Sequence, residues 1–123
     1  MIFGSKGMTI YTMSSTATYQ PGDVWIASVY QTATKQFKVR PIVIVGNDKA
    51  IDVDVLTAPI TTHAPKVGAD IILFHWQVAG LARESVARTS KLFPVSKDKL
   101  IKKLGSLHPD DLLNVLNKCR ELF

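Results

Sequence analysis

The order of the apolar patterns along the chain most constrains its fold. Short runs rich in β-branched and aromatic residues follow one another up to residue 95, and helical patterns occur only beyond that point. Strands that alternate with helices would favour a parallel sheet, whereas this order favours consecutive strands covered by terminal helices. We therefore expect a mainly β (α+β) fold, built as a small barrel that carries C-terminal helices.

Several of these runs predict strands, each followed by a turn signal. The strands before residue 80 are predicted at 23–30, 39–46, 51–59 (closed by 60–62) and 69–77. Further short strands are expected around Ser85 and Leu92. The run at 39–46 is apolar on both faces, which predicts a central strand. Because Pro41 lacks an N–H, Arg40 is expected at the beginning of this strand, projecting from the barrel rim.

Two helices are predicted near the C-terminus. Ser96 can cap the N-terminus of a helix over 97–104, which Gly105 would end in a left-handed conformation. A second helix is predicted from Pro109, a residue suited to the first helical position. Its apolar residues recur at helical spacing up to Leu122 and predict a face packed on the barrel.

Length and charge limit the class of protein. A chain of 123 residues, 46% of them hydrophobic, fits one compact domain with a core. We assign this domain to residues 21–123 and expect residues 1–20 to form a loose leader or an edge strand. A net charge of +5 is compatible with a phosphate backbone or an acidic partner, although the same charge is common in domains that bind neither.

Other features argue against several classes of site. Cys119 is the only cysteine, so an intramolecular disulfide is impossible, and no CxxC pair or cluster of Cys and His predicts a zinc site. Its position in a helical run favours a small buried hydrophobe over a nucleophile. No run approaches the ~18 apolar residues of a membrane span, and the N-terminus lacks the pattern of a signal peptide. We expect a cytoplasmic protein with no membrane association, no metal and no cofactor.

Five segments, in order, resemble the MazF/PemK (Kid/CcdB-like) family of type II toxins. They are PGDVWIA at 21–27, RPIVIV at 40–45, APIT at 58–61, GLARESVA at 80–87 and VSKDKLIKKLGSL at 95–107. The resemblance covers roughly residues 20–122. It implies an SH3-like, MazF/CcdB-like barrel that forms a homodimer, cleaves single-stranded RNA (mRNA) and is neutralised by a cognate antitoxin protein.

The resemblance also implies two catalytic residues. Arg40 occupies the position of the family's catalytic arginine, and Thr61 that of its catalytic threonine. A guanidinium can pair with two phosphate oxygens, and a threonine hydroxyl can donate to a phosphoryl oxygen. Metal-independent attack by the RNA 2′-hydroxyl would then leave a 2′,3′-cyclic phosphate and a 5′-hydroxyl. Without the resemblance, Arg40 would more often be a salt-bridged strand-edge residue and Thr61 an ordinary strand residue.

The candidates for RNA binding are Lys35, Phe37, Lys38, Thr62, His63 and Ser85. The first three lie in the polar connection 31–38 and combine phosphate attraction with a stacking surface. His63 can act as an acid or a base, although a lone loop histidine is usually only solvated. Ser85 can line the same groove, or it can be a strand serine whose hydroxyl bonds to the backbone.

Other polar and aromatic residues are given structural roles. His75 is expected on a strand face and His108 beside a helix start, while Trp25 and Trp76 are expected in the core or at a dimer interface. A basic run after residue 96 lies on the predicted helix, where it is usually a solvated face. This run consists of Lys97, Lys99, Lys102 and Lys103.

The connection before Arg40 departs from the family pattern. Family members commonly carry a glycine-rich stretch with Glu or Gln before the Arg-Pro pair, whereas QTATKQFKV contains no glycine. This departure leaves open a non-enzymatic member of the same barrel family. Such a member would be a DNA-binding poison of gyrase or an inactive nucleic-acid-binding relative.

Overall fold

Strands make up most of the described chain, which in this computed structural model comprises residues 19–46 and 54–123. The strands are β1 (Asp23–Gln31), β2 (Gln36–Ile44), β3 (Asp54–Thr61), β4 (Asp70–Leu73), β5 (Ser85–Arg88), β6 (Phe93–Ser96) and β7 (Leu100–Ser106). Helix α1 spans Pro109–Leu122, and short 3-10 turns lie at Thr89–Lys91 and Lys97–Lys99. The expected leader, apart from residues 19 and 20, and the start of the predicted third strand at 51–53 lie outside the described residues.

The strands form one antiparallel sheet in the order β4-β5-β3-β2-β1-β7, with β6 paired to β3. β2 lies between β1 and β3, which confirms its predicted central place. It begins at Gln36, however, because the residues before Arg40 pair with β1, so the prediction that Arg40 lies at the beginning of the strand is wrong. The mainly β class with a C-terminal helix is confirmed as well. The sheet is open rather than a closed barrel, since β4 and β7 form its two edges. None of the described helices has the length and apolar character needed to span a bilayer.

Alternation along β2 supplies both faces of the sheet with core residues. Val43 and Val115 of α1 belong to the core between the sheet and the helix, and both side chains are fully buried. Ile42 and Ile44 belong to a second buried cluster on the opposite face. A slip of one residue would exchange these two sets, so the two cores together fix the register of β2.

The predicted helix over 97–104 is wrong. Lys97–Lys99 form a 3-10 turn, and the residues that follow form strand β7. Ser96 makes no cap hydrogen bond, because its hydroxyl donates to the Asp98 carboxylate at 2.6 Å. The edge of β1 pairs with β7 instead, and this tertiary pairing outweighs the weak helix propensity of the run.

Two further contacts hold β7 in place. The buried carboxylate of Asp23 accepts a hydrogen bond from the Ser106 hydroxyl at 3.2 Å and lies 3.3 Å from the Lys103 ammonium. A side chain on Gly105 would bring its Cβ within 2.8 Å of the Ala79 carbonyl oxygen. This close approach, rather than the expected left-handed helix end, explains the glycine.

Helix α1 begins at Pro109, as predicted. His108 caps it, since its Nδ1 accepts a hydrogen bond from the backbone N–H of Asp110 at 3.1 Å. Cys119 is half-buried and packs against the core beneath the helix. Burial raises the pKa of the Cys119 thiol, which agrees with the expected role of a small hydrophobe.

A buried carboxylate of α1 ends strand β4. Asp111 is fully buried, and its carboxylate accepts hydrogen bonds from the N–H groups of Phe74, at 3.1 Å, and His75, at 2.8 Å. These two donors point at the helix and not at a neighbouring strand. β4 therefore ends at Leu73, four residues before the end predicted from the run 69–77.

Removal of this carboxylate is expected to destabilise the fold. Asp111→Ala leaves two partly buried N–H donors unpaired and should lower the free energy of unfolding by about 3 kcal/mol. Asp110→Ala is the matched control, because its side chain is exposed, and should cost less than about 1 kcal/mol. Urea denaturation of both variants measures the difference. Equal losses would show that the Asp111 contacts are not the anchor described here.

Another buried carboxylate, that of Asp70, ties β4 to the loop before it and to β5. Asp70 accepts hydrogen bonds from the N–H groups of Lys66 at 2.9 Å and Val67 at 3.4 Å, and its carboxylate lies 3.4 Å from Nε of Arg88. Burial acts to raise the pKa of Asp70, but these hydrogen bonds and the guanidinium together outweigh it. The pKa of Asp70 is therefore lowered.

The lowered pKa of Asp70 predicts a pH-dependent stability. The ionised carboxylate stabilises the fold above the unfolded pKa of about 3.9, and this contribution is lost as the pH falls through the lower folded value. Wild type should exceed Asp70→Asn in free energy of unfolding at neutral pH, and the gap should shrink below about pH 4. Chemical denaturation across this range tests the prediction, and a gap that stays constant on acidification would contradict it.

Candidate functional site

The pairing of β2 with β3 stops at the edge of an open groove. Their last paired residues on this side are Ile42 and Pro59. Continuing the same register outward by two residues places Arg40 opposite Thr61. Because opposed residues of an antiparallel pair share a face, the Arg40 and Thr61 side chains leave the sheet on one side, which is the side of Ile42 and opposite helix α1.

Pro41 explains why the ladder stops there. The carbonyl oxygen of Ile44 accepts from the N–H of Gly22, so the peptide groups of Ile44 face β1. Peptide groups alternate in direction along a strand, and the nitrogen of Pro41, three residues earlier, therefore faces β3. This nitrogen carries no hydrogen and cannot extend the ladder. Beyond this point β3 pairs with β5.

A groove of about 770 Å³ lies where β2 and β3 separate. Four of the predicted site residues line it, namely Arg40, Thr61, Thr62 and His63. Arg40 is exposed, and one of its nitrogens donates to the carbonyl oxygen of Val39 at 3.2 Å, which leaves other N–H groups for a ligand. The Thr61 hydroxyl accepts from the N–H of His63 at 3.2 Å, so its own proton can be donated into the groove.

Two further cations line the groove that the sequence alone did not reveal. Arg88, at the end of β5, and Lys91, in the following 3-10 turn, join Arg40 there. Asp70 holds Arg88 through its Nε. No carboxylate belongs to the groove lining among the described residues. The groove is therefore electropositive and suits a polyanion. The sequence offers one signal for these two groove residues, since Arg88 and Lys91 lie between the short strands predicted around Ser85 and Leu92.

The three residues predicted in the connection 31–38 lie beside the groove and do not line it. Lys35 sits in the turn between β1 and β2 with a positive φ of 56°, and Lys38 is half-buried on β2. The exposed ring of Phe37 contacts the Tyr30 ring edge to face at 5.3 Å, and Tyr30 does line the groove. The Lys99 ammonium lies 4.9 Å from the centre of the Phe37 ring.

Ser85 lies apart from the groove. Its side chain is buried, and its hydroxyl donates to the carbonyl oxygen of Arg83 at 2.8 Å, the backbone-satisfied alternative considered for it. Ser85 instead lines a second cavity of about 360 Å³. Thr62 and His63 line both cavities, so the two share a wall.

One cluster brings together residue types that bind metals. Ligand atoms of His75, His108 and Asp110 lie within 4.8 Å of one another. The two imidazole rings are stacked, however, with centroids 3.9 Å apart and planes inclined by 22°, so their in-plane lone pairs do not converge on one point. Nδ1 of His108 is also engaged in capping α1. None of the three residues lines the groove.

Solved structures share this fold at low sequence identity. MazF from Deinococcus radiodurans superposes with a TM-score of 0.67 and 18% identity, covering 87% of this chain and 97% of that one. An endoribonuclease from a Mycobacterial species superposes with a TM-score of 0.62 and 19% identity, covering 80% of this chain and 84% of that one. An endoribonuclease in complex with its cognate antitoxin, also from a Mycobacterial species, has a TM-score of 0.61 and 17% identity. The match covers 84% of this chain and 95% of that one.

The sequence itself matches a family model. No curated protein gives a significant match to the chain. Residues 20–123 match the family described as the PemK-like, MazF-like toxin of type II toxin-antitoxin systems. This range includes every strand and the helix described above, together with Arg40 and Thr61. The chain therefore belongs to the PemK/MazF toxin family.

Proposed function

We propose that this chain is a metal-independent endoribonuclease that cleaves single-stranded RNA. The observation that carries the proposal is that Arg40 and Thr61 line one groove, where β2 and β3 separate beyond their last pair, Ile42 and Pro59. The groove is large enough for a segment of chain and presents three cations and no described carboxylate. Membership of a toxin family, and the name of the similar Mycobacterial endoribonuclease, support the same reaction.

The proposed reaction is attack by a ribose 2′-hydroxyl on the adjacent phosphorus. The 2′-hydroxyl loses its proton, the new O–P bond forms, and the 5′-oxygen leaves with a proton, which gives a 2′,3′-cyclic phosphate and a 5′-hydroxyl. Arg40 would stabilise the negative charge that develops on the phosphoryl oxygens, and Thr61 would donate a hydrogen bond to one of them.

Proton transfer needs a group that can both accept and release a proton. A guanidinium stays protonated in proteins, so Arg40 is better suited to charge stabilisation than to the role of a base. His63 lines the same groove, is exposed, and is linked to Thr61 through its backbone N–H. Its imidazole is the described groove side chain best suited to move a proton at neutral pH.

The surroundings of the groove would hold the rest of the RNA. Arg88 and Lys91 extend the positive surface for neighbouring phosphates. Lys35, Phe37 and Lys38 form the adjacent hairpin, where the contact of Phe37 with Tyr30 offers an aromatic surface at the groove end. Thr62 would contribute a further hydroxyl to the groove wall.

Cleavage of RNA tests the two catalytic assignments. The purified protein should cut single-stranded RNA in excess EDTA and leave the cyclic phosphate and 5′-hydroxyl ends. Arg40→Ala should slow cutting by about 100-fold or more, and Thr61→Val by about tenfold or more, since each removes a donor to the developing charge. End-labelling and mass spectrometry of the fragments measure both the rate and the chemistry.

Arg120→Ala is the matched control, because Arg120 is an exposed arginine of α1 whose described partner is Asn117. This variant should cut RNA at the wild-type rate. Undiminished cutting by Arg40→Ala would contradict its assigned role. A folded wild-type protein that left RNA intact would instead favour the non-enzymatic alternative.

We also propose that the protein acts in the cytoplasm as a homodimer that a cognate antitoxin protein binds. The fold similarity to a Mycobacterial endoribonuclease that was solved in complex with its cognate antitoxin supports the proposed binding of an antitoxin. Light scattering should give twice the chain mass of 13.6 kDa. Addition of the antitoxin should then abolish RNA cutting. A particle of one chain mass at micromolar concentration would contradict the dimer.

A further inference from the structure

The second cavity adjoins the groove and differs from it in chemistry. It measures about 360 Å³, which falls within the range of small-ligand pockets. We call it the base pocket and define it by Thr62, His63, Phe74, Trp76, Glu84 and Ser85. Its first two residues also line the groove, so a chain lying in the groove passes directly beside its entrance.

Two aromatic side chains, Phe74 and Trp76, belong to the apolar walls of the base pocket. The Phe74 side chain is 69% exposed, although its backbone N–H is fixed by the buried Asp111 carboxylate at 3.1 Å. Trp76 is half-buried and packs against the main core, which holds its indole in place. An exposed aromatic ring on an anchored backbone offers a surface on which an unstacked base can lie.

Glu84 gives the base pocket a charge opposite to that of the groove. It is the one carboxylate among the described residues that line this cavity, and its side chain is exposed. A phosphate would be repelled from Glu84 and attracted by the groove cations Arg40, Arg88 and Lys91. The two cavities therefore separate the two parts of a nucleotide, with the phosphate in the groove and the base beside Glu84.

We propose that the base pocket binds one unstacked nucleobase of the RNA and selects guanine through Glu84. This inference rests on the nuclease function proposed above and names the specificity of the same site. Guanine presents two adjacent donors, N1–H and the exocyclic amine, that match the two oxygens of a carboxylate. Adenine and cytosine present the amine beside an acceptor. Uracil presents a single donor between two carbonyl oxygens, which a carboxylate repels.

Binding of uncleavable oligonucleotides tests the pocket independently of catalysis. The probes are fluorescent 2′-O-methyl pentauridylate and its variants with one guanine at each position in turn. For wild type, guanine at one position should tighten binding by about tenfold relative to the all-uridine probe. Glu84→Gln should reduce that gain to less than about twofold, because it removes the charge that selects the base.

Glu121→Gln is the matched control, since Glu121 is an exposed residue of α1 paired with Lys118. This variant should keep the wild-type gain. Phe74→Ala should weaken binding of the guanine-containing probe by about tenfold through loss of stacking. The proposal is overturned if guanine tightens binding at none of the five positions, or if the gain survives Glu84→Gln.

Cleavage of ordinary RNA separates this proposal from the nuclease function. Random-sequence RNA cut by wild type should show guanine enriched at one position near the cleaved bond, and Glu84→Gln should flatten that enrichment. Cutting with no base preference at that position would overturn the base pocket and leave the nuclease intact. Selective binding of guanine without any cutting would overturn the nuclease and leave the base pocket intact.

Discussion

The missing N–H of Pro41 is the constraint on which the site depends. Its nitrogen faces β3 but carries no hydrogen, so the β2–β3 ladder ends at Ile42 and Pro59 and leaves Arg40 and Thr61 beside an open groove. On its other side, β3 pairs with β5 through Ile60 and Thr61. The sheet therefore stays continuous through β3, whereas β2 and β3 separate at the groove. Arg40 and Thr61 thereby line the same groove.

Two of the buried carboxylates, Asp70 and Asp111, hold segments that line the two cavities. Asp70 fixes Arg88, a groove cation, and the loop that leads into β4. Asp111 fixes the backbone at Phe74 and His75 from helix α1, so that Phe74 is presented to solvent on an anchored chain. Burying an ionised carboxylate is costly unless its hydrogen bonds are satisfied. Here both are satisfied by backbone N–H groups of segments that strand pairing leaves free.

The sequence predicts the local elements better than the contacts between distant segments. Helix α1 and the central place of β2 follow from local patterns, in particular Pro109 and the apolar run 39–46. The mistaken helix at 97–104 arises because the edge of β1, more than 70 residues away, decides the conformation of β7. Likewise, Arg88 and Lys91 reach the groove through the pairing of β5 with β3, which no local pattern encodes. Arg40 and Thr61 could be named through resemblance to the family, whereas their position in one groove could be seen only in the fold.

We propose that one phosphodiester of the RNA lies between the Arg40 guanidinium and the Thr61 hydroxyl. A crystal structure with a single-stranded RNA methylated at the attacking 2′-oxygen, and therefore uncleavable, measures this directly. We expect the phosphate on the 3′ side of the methylated ribose to lie within hydrogen-bond distance of both side chains. RNA bound elsewhere on the protein, or a phosphate in contact with neither residue, would contradict it.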